Sequence, residues 1–236
     1  TRVTLPGARP AAAVAASIRA RIRASLSVMS AVMRLRIGGV GRRATGGLPR
    51  GGAVPARWLL SDPARLPDPL PLLPRLPRGS AVLLRGAAPE VVRAVRRAAR
   101  AGGLALLISG DGRAALAAGA GLHLPDRHGC RHLLPFLLMR RHASNRAGLP
   151  LSLAVHGRAG VARARRLRAD AALVSPAFPT ASHPGAPALG PSRWARLART
   201  LPCPAVALGG MTARVARRIP SKWRAGWAAI GAWTGN

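Results

Sequence analysis

Residues 81–108 read AVLLRGAAPEVVRAVRRAARAGGLALLI, and their pattern sets the architecture of the chain. Ala81-Val82-Leu83-Leu84 and Leu104 to Ile108 are short continuous apolar runs, the form expected of parallel strands covered on both faces. Between them, Pro89 to Arg100 places Val91, Val92, Val95 and Ala99 on one helical face and arginines on the other. Pro89 suits the first helical turn, where its missing N–H costs no hydrogen bond. A helical crossover of this kind joins parallel neighbours.

The unit repeats outward in both directions. Further strands are expected at Trp58-Leu59-Leu60, Gly121 to Leu124, Leu151 to Val155, Ala171 to Val174, Ala205 to Leu208 and Trp227 to Ile230, which makes eight. Helices are expected at Gly157 to Arg168, with Val161, Ala164 and Leu167 inward, and at Pro191 to Leu201, with Trp194, Leu197 and Leu201 inward. His132 to His142 fits a helix with Pro135 early. Thr212 can cap a short helix carrying Val215 and Ile219. Leu66 to Leu76 is a weaker candidate, because Pro67, Pro69, Pro71 and Pro74 interrupt it. Eight strands separated by helical connections predict an α/β fold, a compact (β/α)8 barrel, with an open doubly wound sheet as the alternative. Residues 57–236 are few against the roughly 250 typical of such barrels, so the helices must be short.

The chain has 236 residues, with 37 Arg, the single Lys222 and six acids, for a formal charge of +32. At 49% hydrophobic it can bury a core, which excludes a disordered basic tail. No uncharged apolar run approaches the roughly 20 residues needed to span a bilayer, so a membrane partner is not expected. The charge first suggests a nucleic-acid partner. Arg, Ala, Gly and Pro all have GC-rich codons, however, and the absence of Tyr with only two Phe leaves few platforms for base stacking. Nucleic acid is therefore the lesser alternative. Ten of the arginines and none of the acids fall in residues 1–56. That stretch reads as a targeting segment or as upstream sequence outside the fold, with a helix over about Ala11 to Arg36 as the other option. The remaining 28 basic residues stand against all six acids, so the expected barrel, residues 57–236, carries +22. Cys130 and Cys203 do not make a disulfide framework and fit a reducing cytoplasm.

In a barrel of this class, chemistry sits at the C-terminal strand ends. Those ends are polar and small: Ser61-Asp62, Arg85-Gly86, Ser109-Gly110-Asp111, His123 to Asp126, His156-Gly157, Ser175 to His183, Gly209-Gly210 and Gly231. Gly209-Gly210 opens a helix N-terminus, where bare N–H groups can cradle a phosphate. The plain alternative is a tight turn. The loop Ser175 to Gly185 offers hydroxyls at Thr180 and Ser182 and a donor at His183. His128-x-Cys130-x-His132 has metal-ligating residues, but not at a usual structural-zinc spacing.

Asp170 to Gly190, reading DAALVSPAFPTASHPGAPALG, resembles the pattern GaDYvglGPvFpTxTKpga of the thiamine phosphate synthase family. WLLSD, AALAAGAGLHLPD, LSLAVH, PCPAVALGGMT and WAAIGAW resemble further motifs of that family, in the same order, over most of residues 57–236. The resemblance implies a (β/α)8 barrel. It also implies a transferase that joins a hydroxymethylpyrimidine pyrophosphate to a thiazole phosphate and releases pyrophosphate. The thiazole phosphate would be held by Thr180, Ser182, Gly209, Gly210 and Gly231. Arg85 would reach the pyrophosphate, with His156 and His183 as further catalytic candidates. Mg²⁺ is implied as cofactor, with Asp111 and Asp126 as the retained ligand candidates.

Departures from the pattern fall on the chemistry. The family's Gln-x-Arg-x-Lys is here Leu83, Arg85 and Ala87. Its second metal-binding Asp falls near His128, its GvSxH serine is Ala154, its TxTK lysine is His183, and its last-strand serine is Gly231. Phosphate-cradling backbone is thus kept better than metal chemistry. That pattern also suits thiazole tautomerases, with His156 as acid/base, or an inactive phosphate-binding paralogue.

Overall fold

The computed structural model describes residues 54–126, 129–142, 148–180, 185 and 187–233. Eight parallel strands close into a barrel in sequence order: β1 (Arg57–Leu60), β2 (Ala81–Leu84), β3 (Ala105–Ser109), β4 (Gly121–Leu124), β5 (Leu151–Val155), β6 (Ala171–Val174), β7 (Ala205–Leu208) and β8 (Gly226–Ala229). Trp58 pairs with Ala81 of β2 on one side and with Ala228 of β8 on the other, which closes the ring. The closed barrel excludes the open doubly wound sheet, and every expected strand is present.

The helices are short, as the chain length requires. They are α1 (Pro89–Gly102), α2 (Gly112–Ala118), α3 (Leu133–His142), α4 (Arg158–Leu167), α5 (Gly190–Ala198) and α6 (Ala213–Ala216). The proline-broken stretch after β1 gives only a 3₁₀ turn at Leu70–Arg75, and Pro74 lies inside it. The expected helix after Thr212 is a single turn, capped by the Thr212 hydroxyl on the Val215 N–H at 3.2 Å. Helix α2 was not expected. It is nearly all Ala and Gly, so it carries no polar–apolar period, yet Asp111 caps its start and left-handed Gly119 ends it.

Strand alternation divides the core in two. Leu59, Val82, Leu84, Leu106, Ile108, Leu122, Leu153 and Val155 face the helices and pack with Val95, Phe136, Val161 and Trp194. Trp58, Leu60, Ala81, Leu83, Ala105, Leu107, Ala171, Leu173, Val206 and Ala228 fill the barrel axis. Many of these inner residues are small, and the Trp58 indole takes up space between them, donating its Nε1–H to Pro55 O at 2.6 Å. Buried Trp194 ties α5 to β6 by donating to Val174 O at 3.1 Å. Buried Arg140 ties α3 to the start of β6. Its Nη2 donates to Arg168 O at 2.9 Å and to Asp170 Oδ1 at 2.8 Å, while Asp170 Oδ2 accepts from the Leu151 N–H at 2.7 Å.

No described helix is long and apolar enough to cross a membrane. The basic stretch 1–56 lies almost wholly outside the described residues.

Candidate functional site

The C-terminal rim of the barrel brings the polar strand ends together, and its geometry is clearest at β1 and β2. Ser61, buried, follows β1 and accepts the Arg85 N–H on its hydroxyl at 2.8 Å. Arg85 then folds back over the same segment. Its Nε donates to Ser61 O at 2.9 Å and its Nη2 to Asp62 Oδ2 at 2.5 Å. The rest of the Asp62 carboxylate caps its own turn, with Oδ1 accepting from the Ala64 and Arg65 N–H groups. Burial works against the Asp62 charge, but the contacts with Arg65, the Ala64 N–H and Arg85 outweigh it and hold the carboxyl below its ordinary value. Burial presses the Arg85 pKa down, countered by Asp62, and a guanidinium stays charged even so. Gly86 completes the corner. At φ +57° it takes a left-handed turn, and a Cβ there would lie 2.8 Å from Pro63 Cγ.

The β3 end is organised differently. Asp111 Oδ1 accepts from the Arg113 N–H at 2.8 Å and the Ala114 N–H at 3.1 Å, which makes it the N-cap of α2. His132 Nδ1 lies 3.3 Å from the same oxygen, and Arg131 Nε lies 3.8 Å from Oδ2. Despite partial burial, the two N–H groups and His132 hold the carboxyl below its usual range. The expected metal ligand is thus a helix cap with its oxygens engaged. Asp111→Ala is expected to cost about 1 kcal/mol in urea denaturation, the usual loss for an N-cap. Unchanged stability would count against the capping role.

At β4 and β5, a buried polar pair replaces apolar filling. Leu122 and Leu124 face the helices, so His123 faces the barrel axis, where its Nδ1 lies 2.9 Å from Ser152 Oγ of β5. Burial first, then the charges of Arg85 and Arg163, push the imidazole pKa down to about 3. His123 is therefore neutral at physiological pH. Arg163 of α4 gathers the neighbouring loop by donating to Pro125 O at 2.9 Å and Ala154 O at 3.2 Å, with Asp126 Oδ1 at 3.8 Å.

His156 stands after β5 and is exposed. Its Nδ1 lies 2.8 Å from Ser175 O. A carbonyl only accepts, so Nδ1 carries the proton and the neutral ring leaves Nε2 bare. That nitrogen faces Asp126 Oδ2 at 3.9 Å. A proton taken up at Nε2 would therefore find a carboxylate beside it, which suits a group that accepts and returns a proton.

The loops after β6 and β7 interlock. Ala177 N–H donates to Leu208 O at 2.8 Å, and Phe178 N–H donates to Gly209 O at 3.1 Å. Gly209 and Gly210 both have positive φ, and a Cβ at Gly210 would lie 2.4 Å from Pro179 O, so a glycine is required there. Thr180 is described at the edge of this pair of loops, whereas Ser182 and His183 lie outside the described residues. Gly231 follows β8 and opens a 3₁₀ turn at Gly231–Trp233. Its closing Trp233 stacks on Trp227, ring centroids 5.0 Å apart.

The described residues do not fit a Mg²⁺ centre. Asp111 is committed to a helix end, and Asp126 lies between His156 and Arg163. Among the described residues, no group of three or more His, Cys, Asp or Glu side chains gathers around a common point. His128, part of both the zinc reading and the metal comparison, lies outside them.

Sequence reasoning set His123 among the strand ends without a role for it, and missed Arg163 and Arg65 as contributors to the rim. His123 was visible as a polar residue inside an apolar strand. The two arginines carry no signal in a chain with 37 of them.

A family model described as thiamine monophosphate synthase matches residues 85–232. No curated protein matches the chain. Among solved structures, the thiamine phosphate pyrophosphorylase from Pyrococcus furiosus is similar at 20% identity and TM-score 0.62, covering 78% of this chain and 90% of that one. A glycerol uptake operon antiterminator regulatory protein from Listeria monocytogenes is similar at 12% identity and TM-score 0.52, covering 80% of this chain and 100% of that one. At these identities the likeness concerns the fold.

Proposed function

Because the chain belongs to the thiamine monophosphate synthase family, we propose that it joins a hydroxymethylpyrimidine pyrophosphate to a thiazole phosphate and releases pyrophosphate. The observation that carries this reading is Arg85, a charged guanidinium fixed at the barrel rim by Ser61 O and Asp62. As the pyrimidine–oxygen bond breaks, negative charge grows on the departing pyrophosphate. A fixed cation beside it lowers the barrier, because no solvent must reorganise at that moment. The thiazole ring nitrogen supplies the electron pair for the new bond to the pyrimidine methylene carbon. The thiazole phosphate is assigned to the turn after β7. There the N–H groups of Gly210 and Met211 precede the α6 cap and donate to no backbone carbonyl among the described residues. By the resemblance Thr180, Ser182 and Gly231 belong to this phosphate assignment, with His183 kept as a catalytic candidate. No step here passes through Mg²⁺.

The test is direct. The full chain is given both phosphorylated precursors, and pyrophosphate release is followed beside thiamine phosphate formation. Equal yields of the two products are expected. Binding of the thiazole phosphate without pyrophosphate release would sink the synthase reading. It would favour the second one, a thiazole tautomerase. That alternative rests on His156, whose bare Nε2 faces Asp126. Its mark is deuterium exchange into the thiazole phosphate in heavy water, lost in His156→Ala.

A further inference from the structure

The rim at β1 and β2 holds a second guanidinium, Arg65, outside the motifs that carry the resemblance. Asp62 Oδ2 accepts from Arg85 Nη2 at 2.5 Å and from Arg65 Nη2 at 3.3 Å. One carboxylate oxygen therefore gathers two cations. The turn that carries Arg65 is built for this. Asp62 and Leu66 exchange backbone hydrogen bonds at 3.0 and 2.9 Å, and Asp62 Oδ1 accepts the Arg65 N–H at 3.1 Å. Pro63 of the turn fills the space that a side chain at Gly86 would need, so the β1 and β2 loops are locked together. Arg85 is 35% exposed and Arg65 41%, so both present donors to solvent at the rim.

The charge balance leaves this cluster positive. Two guanidiniums and one carboxylate sum to one net positive charge, with the two cations close enough to disfavour each other: Arg65 lowers the Arg85 pKa. A multivalent anion relieves that repulsion and takes the N–H groups that Asp62 and the Ser61 carbonyl leave unused, since each guanidinium has five. The family's strand-two motif places a glutamine and a lysine around its arginine. Here those positions are Leu83, buried in the barrel axis, and Ala87. The donors lost from β2 have a counterpart on the loop after β1.

We propose that Arg65 and Arg85, gathered by Asp62, form a two-guanidinium subsite that takes the pyrophosphate group of the pyrimidine substrate and of the released product. The inference rests on the synthase reading and assigns its pyrophosphate end a residue outside the family motifs. Asp62 is a positioning residue in it, and Arg65 a ligand contact.

Calorimetric titration of inorganic pyrophosphate into the full chain, without added divalent cation, tests it. Arg65→Ala and Arg85→Ala are each expected to weaken binding about tenfold, the ordinary loss for one charge-assisted contact. Arg65→Lys is expected to stay within about threefold of the parent, because the charge is kept and the fork lost. Arg97→Ala, on the exposed face of α1, removes the same charge elsewhere and is the control for the general field; it is expected to leave affinity unchanged. Thermal melts of all variants separate misfolding from lost contact. If Arg85→Ala weakens binding and Arg65→Ala does not, the two-guanidinium subsite is refuted while the Arg85 reading stands. If neither variant alters binding, or pyrophosphate does not bind, both fall. If Arg97→Ala weakens binding as much as Arg65→Ala, the effect is bulk charge and the subsite is refuted.

Discussion

Acidification from pH 6.5 to pH 4 is expected to remove about 3 kcal/mol of folding stability through His123 alone. Inside the barrel its pKa is pushed down to about 3, against 6.5 in the unfolded chain. Between these values the unfolded chain takes up a proton that the folded barrel refuses. The His123 contribution is therefore complete above pH 6.5 and is lost as pH falls toward 3. The cause is local: burial first, then the like charges of Arg85 and Arg163. Asp62 and Asp111, whose pKa values are lowered, also withdraw stability on acidification, starting as pH falls through the ordinary carboxylate range and continuing below it. Denaturation of the parent and of His123→Asn at pH 7 and pH 4 isolates the imidazole. Asparagine keeps a polar partner for Ser152 and does not titrate. The gap between the two proteins should change by about 3 kcal/mol between the two pH values. A constant gap would show that His123 is not the buried neutral base described.

Arg140→Ala is expected to cost about 3 kcal/mol at neutral pH. Arg140 is only 5% exposed, and its Nη2 spans Arg168 O and Asp170 Oδ1. Alanine leaves a cavity on α3 and an Asp170 carboxylate without its cation. The Leu151 N–H still holds Asp170 Oδ2, and the carboxylate keeps some exposure, so the cost falls at the lower end for a broken buried pair. Urea denaturation of the two proteins measures it directly. A loss under about 1 kcal/mol would place Arg140 among the replaceable surface arginines.

The fold was legible because its strands are continuous apolar runs, which a parallel barrel requires and few other architectures produce. Helices were legible where Arg marked the solvent side, as in α1 and α4. Where that contrast is missing, the Ala-rich α2 was not legible, while α3, apolar on both faces apart from its last turn, was still expected at His132 to His142. The rim itself followed from strand order. What each rim residue does there did not. Asp111 was a metal-ligand candidate through the family resemblance, and its geometry is that of a helix cap. Arg65 was one arginine among 37, and only the fold of the β1 loop sets it beside Arg85. Asp62 stood out in the sequence for its scarcity. It pairs with two guanidiniums at the rim, Arg65 and Arg85.

Closure of the barrel has a consequence for any shortened form. The pairing of β1 with β8 leaves none of the described strands with a bare ladder of N–H and C=O groups. The family match begins at Arg85, after β1 and β2. A fragment cut to that match would keep most of the recognised motifs. It would also present β3 and β8 as two sticky edges, along with the Leu107 and Ala228 faces of an opened axis. Such a fragment has the makings of an aggregate, and the two strands just outside the match are what cover those edges.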